Sequence, residues 1–360
     1  MKNIGLKLLI FILPLLVFSN RPEGKFKKLK TIQRTFQVGE TGQVFIDNTY
    51  GNINIITDRQ SQVEIIVRIS VDGNDDDAVE QQFRKIKVNI MQNGSQIKAQ
   101  TIFDKASSYN WNLFSWIFGG NSHNTNFKIN YEVHMPEQWN LKIRNDYGNI
   151  YLNKLIGNLD LNADYGSFEI GELLSRQNNI ITDYFSHSTI DFVKQADIKA
   201  DYSKLNITSA YHLDLNCDYT TIKIETVRRL KFNNDYGSIH VQDVKEVYGS
   251  GDYQTRSFGH INKVKFTGDY GSIEINGLLP DFEGIDLSCD YTTIRINNEE
   301  KVPYHFELEQ DYGCFKQNDL DIYREIIDNG DREIKAFYKD KNATALIKIN
   351  MDYGCVRINN

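Results

Sequence analysis

Four cysteines in 360 residues are too few to staple a chain of this length, so a disulfide scaffold is excluded. Basic excess is lacking too. The formal net charge is -7, which speaks against nucleic-acid binding. Beyond the N-terminus no apolar run reaches the length of a bilayer span. The sequence has no Gly-x-Ser-x-Gly elbow, phosphate loop, Cys-x-x-Cys pair or His-Glu-x-x-His helix, and so gives no positive reason to propose an enzyme. Nor do its histidines sit at matching positions close enough to ligate a metal or serve a nucleophile. No residue is therefore expected to be catalytic, to bind a metal or to hold a cofactor.

What the chain does have is repetition. Eleven Asp-Tyr pairs begin at Asp146, Asp164, Asp183, Asp201, Asp218, Asp235, Asp252, Asp269, Asp290, Asp311 and Asp352, all but the last spaced by 17 to 21 residues. The units approximate Asp-Tyr-Gly-Ser-Ile-x-Ile, with Gly after Tyr in six of the eleven, then a turn, Leu-x-Leu-x and a small residue before the next pair. Both runs alternate with period two, the mark of half-buried strands, and neither carries a helical period. A unit of two strands cannot bury its apolar face alone, so neighbours must stack. The expected fold is all-β: a single-stranded parallel β-solenoid with about 17-21 residues per rung, forming a rod about 50 Å long at the inter-strand spacing.

The corners are its structural repeat residues: Asp146 and Tyr147, Asp164 and Tyr165, Asp235 and Tyr236, Asp269 and Tyr270. Asp is expected to accept amide hydrogen bonds in an Asx-turn, Tyr to stack into a ladder over one edge of the core, and Gly to supply unusual dihedrals after Tyr. Two sharper readings of the Asp column, a calcium site and a glycosidase carboxylate pair, fail together. An active site is a unique constellation, whereas this carboxylate recurs in every rung, and calcium-binding repeats supply several ligands per unit.

The remaining segments divide as follows. Residues 1-19, with Lys2, Lys7, an apolar run to Phe18 and then Ser19, read as a secretory signal peptide. Its removal takes two lysines and leaves about -9 by the same count. The product is exported, to periplasm, cell surface or medium. Residues 20-30 form a basic tail that suits peripheral contact with an anionic membrane surface. Residues 31-140 form a β-rich N-terminal part with one short helix from Ala78 to Lys85, whose apolar face comprises Val79, Phe83 and Ile86. Residues 141-360 are the repeats, with an excursion at 316-350 that turns through Asp328-Asn329-Gly330-Asp331. Cys314 and Cys355, each following Tyr-Gly, could bridge across adjacent rungs, whereas Cys217 and Cys289 are four rungs apart and are expected as small core residues. An aromatic insert carries Trp111, Phe114, Trp116 and Phe118. It reads either as a cap over an open end or as a contact surface for an unknown protein or glycan.

Thr31-Ile32-Gln33-Arg34-Thr35-Phe36, the early copy Ile46-Asp47-Asn48-Thr49-Tyr50-Gly51-Asn52-Ile53, and Val133-His134-Met135-Pro136 leading to Leu141-Lys142-Ile143-Arg144-Asn145-Asp146-Tyr147-Gly148-Asn149-Ile150 together resemble the bacterial "putative adhesin" family of exported proteins, typical of Bacteroidetes. The resemblance runs over most of the mature chain. It implies a β-solenoid and supplies no catalytic residues, and the aromatic insert at 109-120 departs from it. The expected function is that of an exported, non-catalytic, adhesin-like surface or envelope binding scaffold. A periplasmic partner in envelope sensing or assembly is the alternative, followed by a polysaccharide-acting β-helix enzyme.

Overall fold

The computed structural model describes residues 24-104 and 125-360. Twenty-four strands and one helix make up these residues. In the N-terminal part they are β1 (Phe26–Gln37), β2 (Gln43–Thr49), β3 (Ile53–Asp58), β4 (Gln62–Gly73), α1 (Asp76–Lys85), β5 (Ile86–Asn93), β6 (Gln96–Phe103) and β7 (Thr125–Pro136). The repeats supply β8 (Asn140–Leu155), β9 (Leu159–Leu173), β10 (Asn179–Phe185), β11 (Ser188–Asp201), β12 (Lys204–Asn216), β13 (Thr221–Asn233), β14 (Ser238–Ser250), β15 (Gln254–Thr267), β16 (Gly271–Leu278), β17 (Gly284–Ser288) and β18 (Thr292–Asn297). The C-terminal end holds β19 (Tyr304–Asp311), β20 (Cys314–Gln317), β21 (Asp321–Asp328), β22 (Asp331–Tyr338), β23 (Leu346–Asp352) and β24 (Cys355–Asn359).

From β8 to β18 every pairing is parallel, and each joins equivalent residues of successive repeats. One inward column before the Tyr corner runs Leu213, Leu230, Val247, Val264, Ile285, Ile347, Phe306. After the corner another runs Leu205, Ile222, Ile239, Arg256, Ile273, Ile294, Val356. All of these residues are buried. Each buried aliphatic side chain contributes on the order of 1.5-3 kcal/mol, which is what holds the rungs in register. Size is matched locally: Phe232 and Phe266 flank Gly249 in one column with ring centroids 6.0 Å apart, and a Cβ on Gly249 would lie 2.2 Å from the Phe232 ring.

The sheet is nonetheless mixed. Antiparallel pairs close both ends: β1 with β4, β4 with β7 and β5 with β6 at one, β19 with β22 and β21 with β22 at the other. A parallel rung end exposes a row of unpaired amides and carbonyls. A strand that folds back covers it and becomes the new, antiparallel edge. β1 begins at Phe26, inside the stretch read as a basic tail, so Lys27, Lys28 and Lys30 lie on an edge strand. The helix starts two residues before its expected limit because Asp75 caps it, the side chain accepting the Ala78 N–H at 3.0 Å, and Ile86 lies outside it as the first residue of β5. No helix among the described residues is long and apolar enough to cross a membrane.

The last half rung is not laid down after Tyr312. Instead β23 inserts between β17 and β19, and β24 between β18 and β20. The excursion makes this possible. Its β21–β22 hairpin turns through Asn329 and Gly330, both left-handed, and leaves room for the chain to return beneath β19. Cys314 and Cys355 then face each other in register and are bonded, with a Cα separation of 4.5 Å. Cys217 and Cys289 are free and buried, and burial pushes both thiols up to about 12, so neither is a poised nucleophile.

The bond closes a loop 41 residues apart in sequence. Chain entropy puts its worth at roughly 4 kcal/mol. The Cys314→Ser, Cys355→Ser variant is therefore expected to lose amide protection first in β19–β24. Hydrogen exchange checks this, and uniform loss along the rod would contradict it.

Candidate functional site: a tyrosine ladder on an exposed edge

The site is built by one residue per rung in an unfavoured conformation. Tyr50, Tyr147, Tyr165, Tyr184, Tyr202, Tyr219, Tyr236, Tyr253, Tyr270, Tyr291, Tyr312 and Tyr353 all have positive φ, between 48° and 62°. For a bulky residue this left-handed region is a genuine outlier costing on the order of 1 kcal/mol or more. Unusual dihedrals were expected of the following Gly. They belong to the Tyr instead, and the Gly has a different role. A Cβ at Gly237 or Gly271 would stand 2.3 or 2.1 Å from a carbonyl oxygen of the previous rung. Where the column is not Gly, a hydroxyl can bond back across the corner: Ser203 Oγ, Thr220 Oγ1 and Thr292 Oγ1 donate to the Asp carbonyls two residues before them at 2.8, 2.9 and 2.9 Å.

Two inter-rung bonds hold the tyrosines of the central rungs there. The Tyr219 N–H donates to the Asp235 carbonyl at 2.9 Å, Tyr236 to Asp252 at 3.1 Å and Tyr253 to Asp269 at 3.0 Å. In the opposite sense, the Asp235 N–H donates to Asp218 Oδ1 at 3.0 Å, Asp252 to Asp235 at 2.7 Å and Asp269 to Asp252 at 2.8 Å, and the series runs from Asp201 to Asp352. The Asp side chain thus bonds to the next rung, not to its own turn as an Asx-turn would require. Charge-assisted bonds of this kind are about twice as strong as neutral ones.

The rings form one continuous stack from Tyr50 to Tyr291, then Tyr353, then Tyr312. Neighbouring centroids lie 4.8–5.4 Å apart and no pair is tilted by more than 11°. Eleven spacings make a stripe about 54 Å long. The rings from Tyr165 onward are 42–59% exposed. Their faces are occupied by one another, so what meets solvent is a row of ring edges and phenol groups. Desolvation, then the adjoining Tyr219 and Tyr253, raises the Tyr236 phenol, and Tyr270 responds in the same way to its surroundings and to Tyr253 and Tyr291. At Tyr236 and Tyr270 this favours the neutral, hydrogen-bonding phenol.

Beside it, Asp146 is raised by burial and by Asp164, and Asp164 by burial and by Asp183. Of the corner residues read from sequence, Asp146, Tyr147, Asp164, Tyr165, Asp235, Tyr236, Asp269 and Tyr270 all lie in this one edge. Trp111, Phe114, Trp116 and Phe118 fall outside the described residues.

Other chemistry is sparse. No group of three or more His, Cys, Asp or Glu side chains among the described residues could hold a metal. His260 Nδ1 lies 3.0 Å from Asp243 and His134 Nε2 3.2 Å from Glu132, both at the surface. A recess of about 240 Å³ at the C-terminal end is lined by Glu309, Gln310, Asp311, Asp328, Arg332 and their neighbours. Arg256 was not singled out from sequence. It occupies an Ile column wholly buried, donates to the Gly251 carbonyl, sits 4.0 Å over the Phe266 ring, and is lowered to about 10 by burial. A lone Arg within an alternating strand was the available signal.

No family model matches the chain, and no curated protein matches it. Solved structures that resemble it include a "putative adhesin" from Parabacteroides merdae, 8% identical, covering 92% of this chain and 97% of that one, with a TM-score of 0.35. Another "putative adhesin", from Parabacteroides distasonis, is 10% identical over 91% and 97% at a TM-score of 0.33. A "putative lipid binding protein" from the same species is 10% identical over 92% and 97%, also at 0.33. Two of these names coincide with the family that the sequence resembles. At such identities and scores the fold rests on the strand pairings described above, not on the likeness.

Three outcomes follow for the corner. Tyr236→Ala loses two stacking partners and keeps the strain, whereas Tyr236→Gly relieves it, so the Gly variant is expected to be the more stable of the two by about 1 kcal/mol in urea titration. Asp235→Asn keeps an acceptor for the Asp252 N–H and should be near neutral, while Asp235→Ala strands that amide at a cost of about 1–3 kcal/mol. For Asp146 and Asp164 the folded pKa lies above the unfolded one. Their contribution is then fully present below the unfolded pKa and is lost as pH rises through the folded pKa. The Asp146→Asn, Asp164→Asn variant should therefore melt above wild type at pH 7 and lose that advantage toward about pH 4. An advantage that grew on acidification would contradict the assignment.

Proposed function

We propose that this chain is an exported, non-catalytic β-solenoid that serves as an adhesin-like binding scaffold, with the tyrosine edge as its contact surface. The observation that carries the reading is the choice of residue at the left-handed position. Glycine or asparagine would occupy it at lower cost, yet tyrosine stands there twelve times along the stack. The rings must therefore supply something those residues cannot. Stacking is one part of that, and a continuous row of phenols facing outward is the other.

Because the faces are buried in the stack, the edge is poorly suited to laying a sugar ring flat on an aromatic face. It suits an extended partner that runs along the rod and accepts or donates a hydrogen bond every 4.8–5.4 Å. Tyrosine is favoured at interfaces for this combination of apolar body and polar tip. The aromatic insert with Trp111, Phe114, Trp116 and Phe118 is proposed as a second contact. Export, on the leader at 1-19, places the scaffold in the periplasm, at the cell surface or outside the cell.

The test uses the mature chain against immobilised polysaccharides, matrix proteins and whole cells, read by surface plasmon resonance and cell-binding counts. Tyr219→Phe, Tyr236→Phe, Tyr253→Phe keeps the stack and removes three phenols, and binding through the edge should weaken at least tenfold. Loss on Trp111→Ala, Trp116→Ala alone would move the contact to the insert. Cleavage of a polysaccharide, abolished by one rung's Asp→Asn and not its neighbours', would overturn the non-catalytic reading.

A further inference from the structure

The strand pairings give the rod two ends of different character. On the side that precedes the Tyr corner, pairing runs from β5 through β6, β2, β8, β9, β10, β11, β12, β13, β14, β15, β17, β23, β19 and β22 to β21. Among the described residues neither β5 nor β21 has a strand on its outer edge. We propose that the protein assembles end to end with further copies of itself, the β21 edge of one copy pairing with the β5 edge of the next. This is independent of what the tyrosine edge binds.

Orientation and length match. β21 runs antiparallel to β22, which is antiparallel to β19, so β21 points the same way as the repeats on its side. β5 is antiparallel to β6, which is parallel to β2 and through it to β8, so β5 points the opposite way. Two copies stacked along a common axis therefore bring β21 and β5 together antiparallel, and each strand is 8 residues long. A bulge between Ile322 and Arg324 spoils the first part of the β21 edge and leaves Arg324–Asp328 regular.

Composition points the same way. Every residue of β21 is exposed, yet it carries Ile322, Tyr323, Ile326 and Ile327 at 38–60% exposure. An exposed apolar edge of this kind is the sort that natural proteins blunt or pair. β5 offers Met91 at 49% exposure and half-buried Val88 and Ile90. Charge is complementary across the joint. The β21–β22 hairpin has five acids against three bases, while the β5–β6 hairpin has Lys98 and Lys87, the latter paired with Asp104, and no acid of its own. Pairing β21 in register with its own two-fold mate would set Asp321 against Asp328 at both ends, with like charges opposed. A head-to-tail contact does not close on itself, so the product is an open filament of rods.

The experiment uses the mature chain. Sedimentation velocity and negative-stain microscopy across a concentration series are expected to show integer multiples of one mass and strings of rods that shorten in high salt. Ile326→Lys, Ile327→Lys, both exposed and outside the core, should weaken association at least tenfold with unchanged circular dichroism. For geometry, Met91→Cys and Ile327→Cys are made separately and treated with a short bis-maleimide. The mixture should crosslink and neither variant alone should. A single mass at every concentration, or self-crosslinking of the Ile327→Cys variant, overturns the proposal.

Discussion

The structure depends on the register between one Asp-Tyr corner and the next. The central corners are fastened by two bonds of opposite sense, Tyr N–H to the following Asp carbonyl and the following Asp N–H to the preceding Asp carboxylate. Shifting a rung by one residue would break both and turn every inward side chain outward. The left-handed tyrosine is therefore stabilised collectively. An isolated corner of this kind would open, whereas one clamped above and below persists.

The same clamp accounts for the shape of the surface. A left-handed residue directs its ring away from the core, and identical corners at the strand spacing bring the rings into parallel contact. The stripe is thus a by-product of the corner geometry that has acquired a chemical identity, a row of phenol groups along its whole length. On its acidic flank, burial and the next carboxylates, Asp164 and Asp183, raise the Asp146 and Asp164 carboxyls above their usual range.

The ends obey a different constraint. A run of parallel strands cannot terminate without exposing backbone, and in this chain the strands that fold back form the end edges. At the C-terminal end the solution is more involved. The chain overshoots, turns through β21 and β22, and returns to fill the rung it skipped, where the Cys314–Cys355 bond fastens it. That arrangement leaves β21 outermost and unburied.

How much of this could be read from residues alone follows from the range of the forces involved. Period-two alternation, the recurring Asp-Tyr, the Val79 and Phe83 face and the Asn329-Gly330 turn are local signals, and they determined the strands, the stacking unit, the helix and the hairpin. Cys314 and Cys355 could be placed in one column because a repeat converts sequence offset into spatial register. Which residue of Tyr-Gly takes the left-handed conformation, that Asp bonds forward to the next rung, that β23 inserts before β19, and that Arg256 is buried beneath Phe266 were decided only by tertiary structure. Each depends on atoms in a neighbouring rung, and a chain read one residue at a time carries no record of which rung lies next to it.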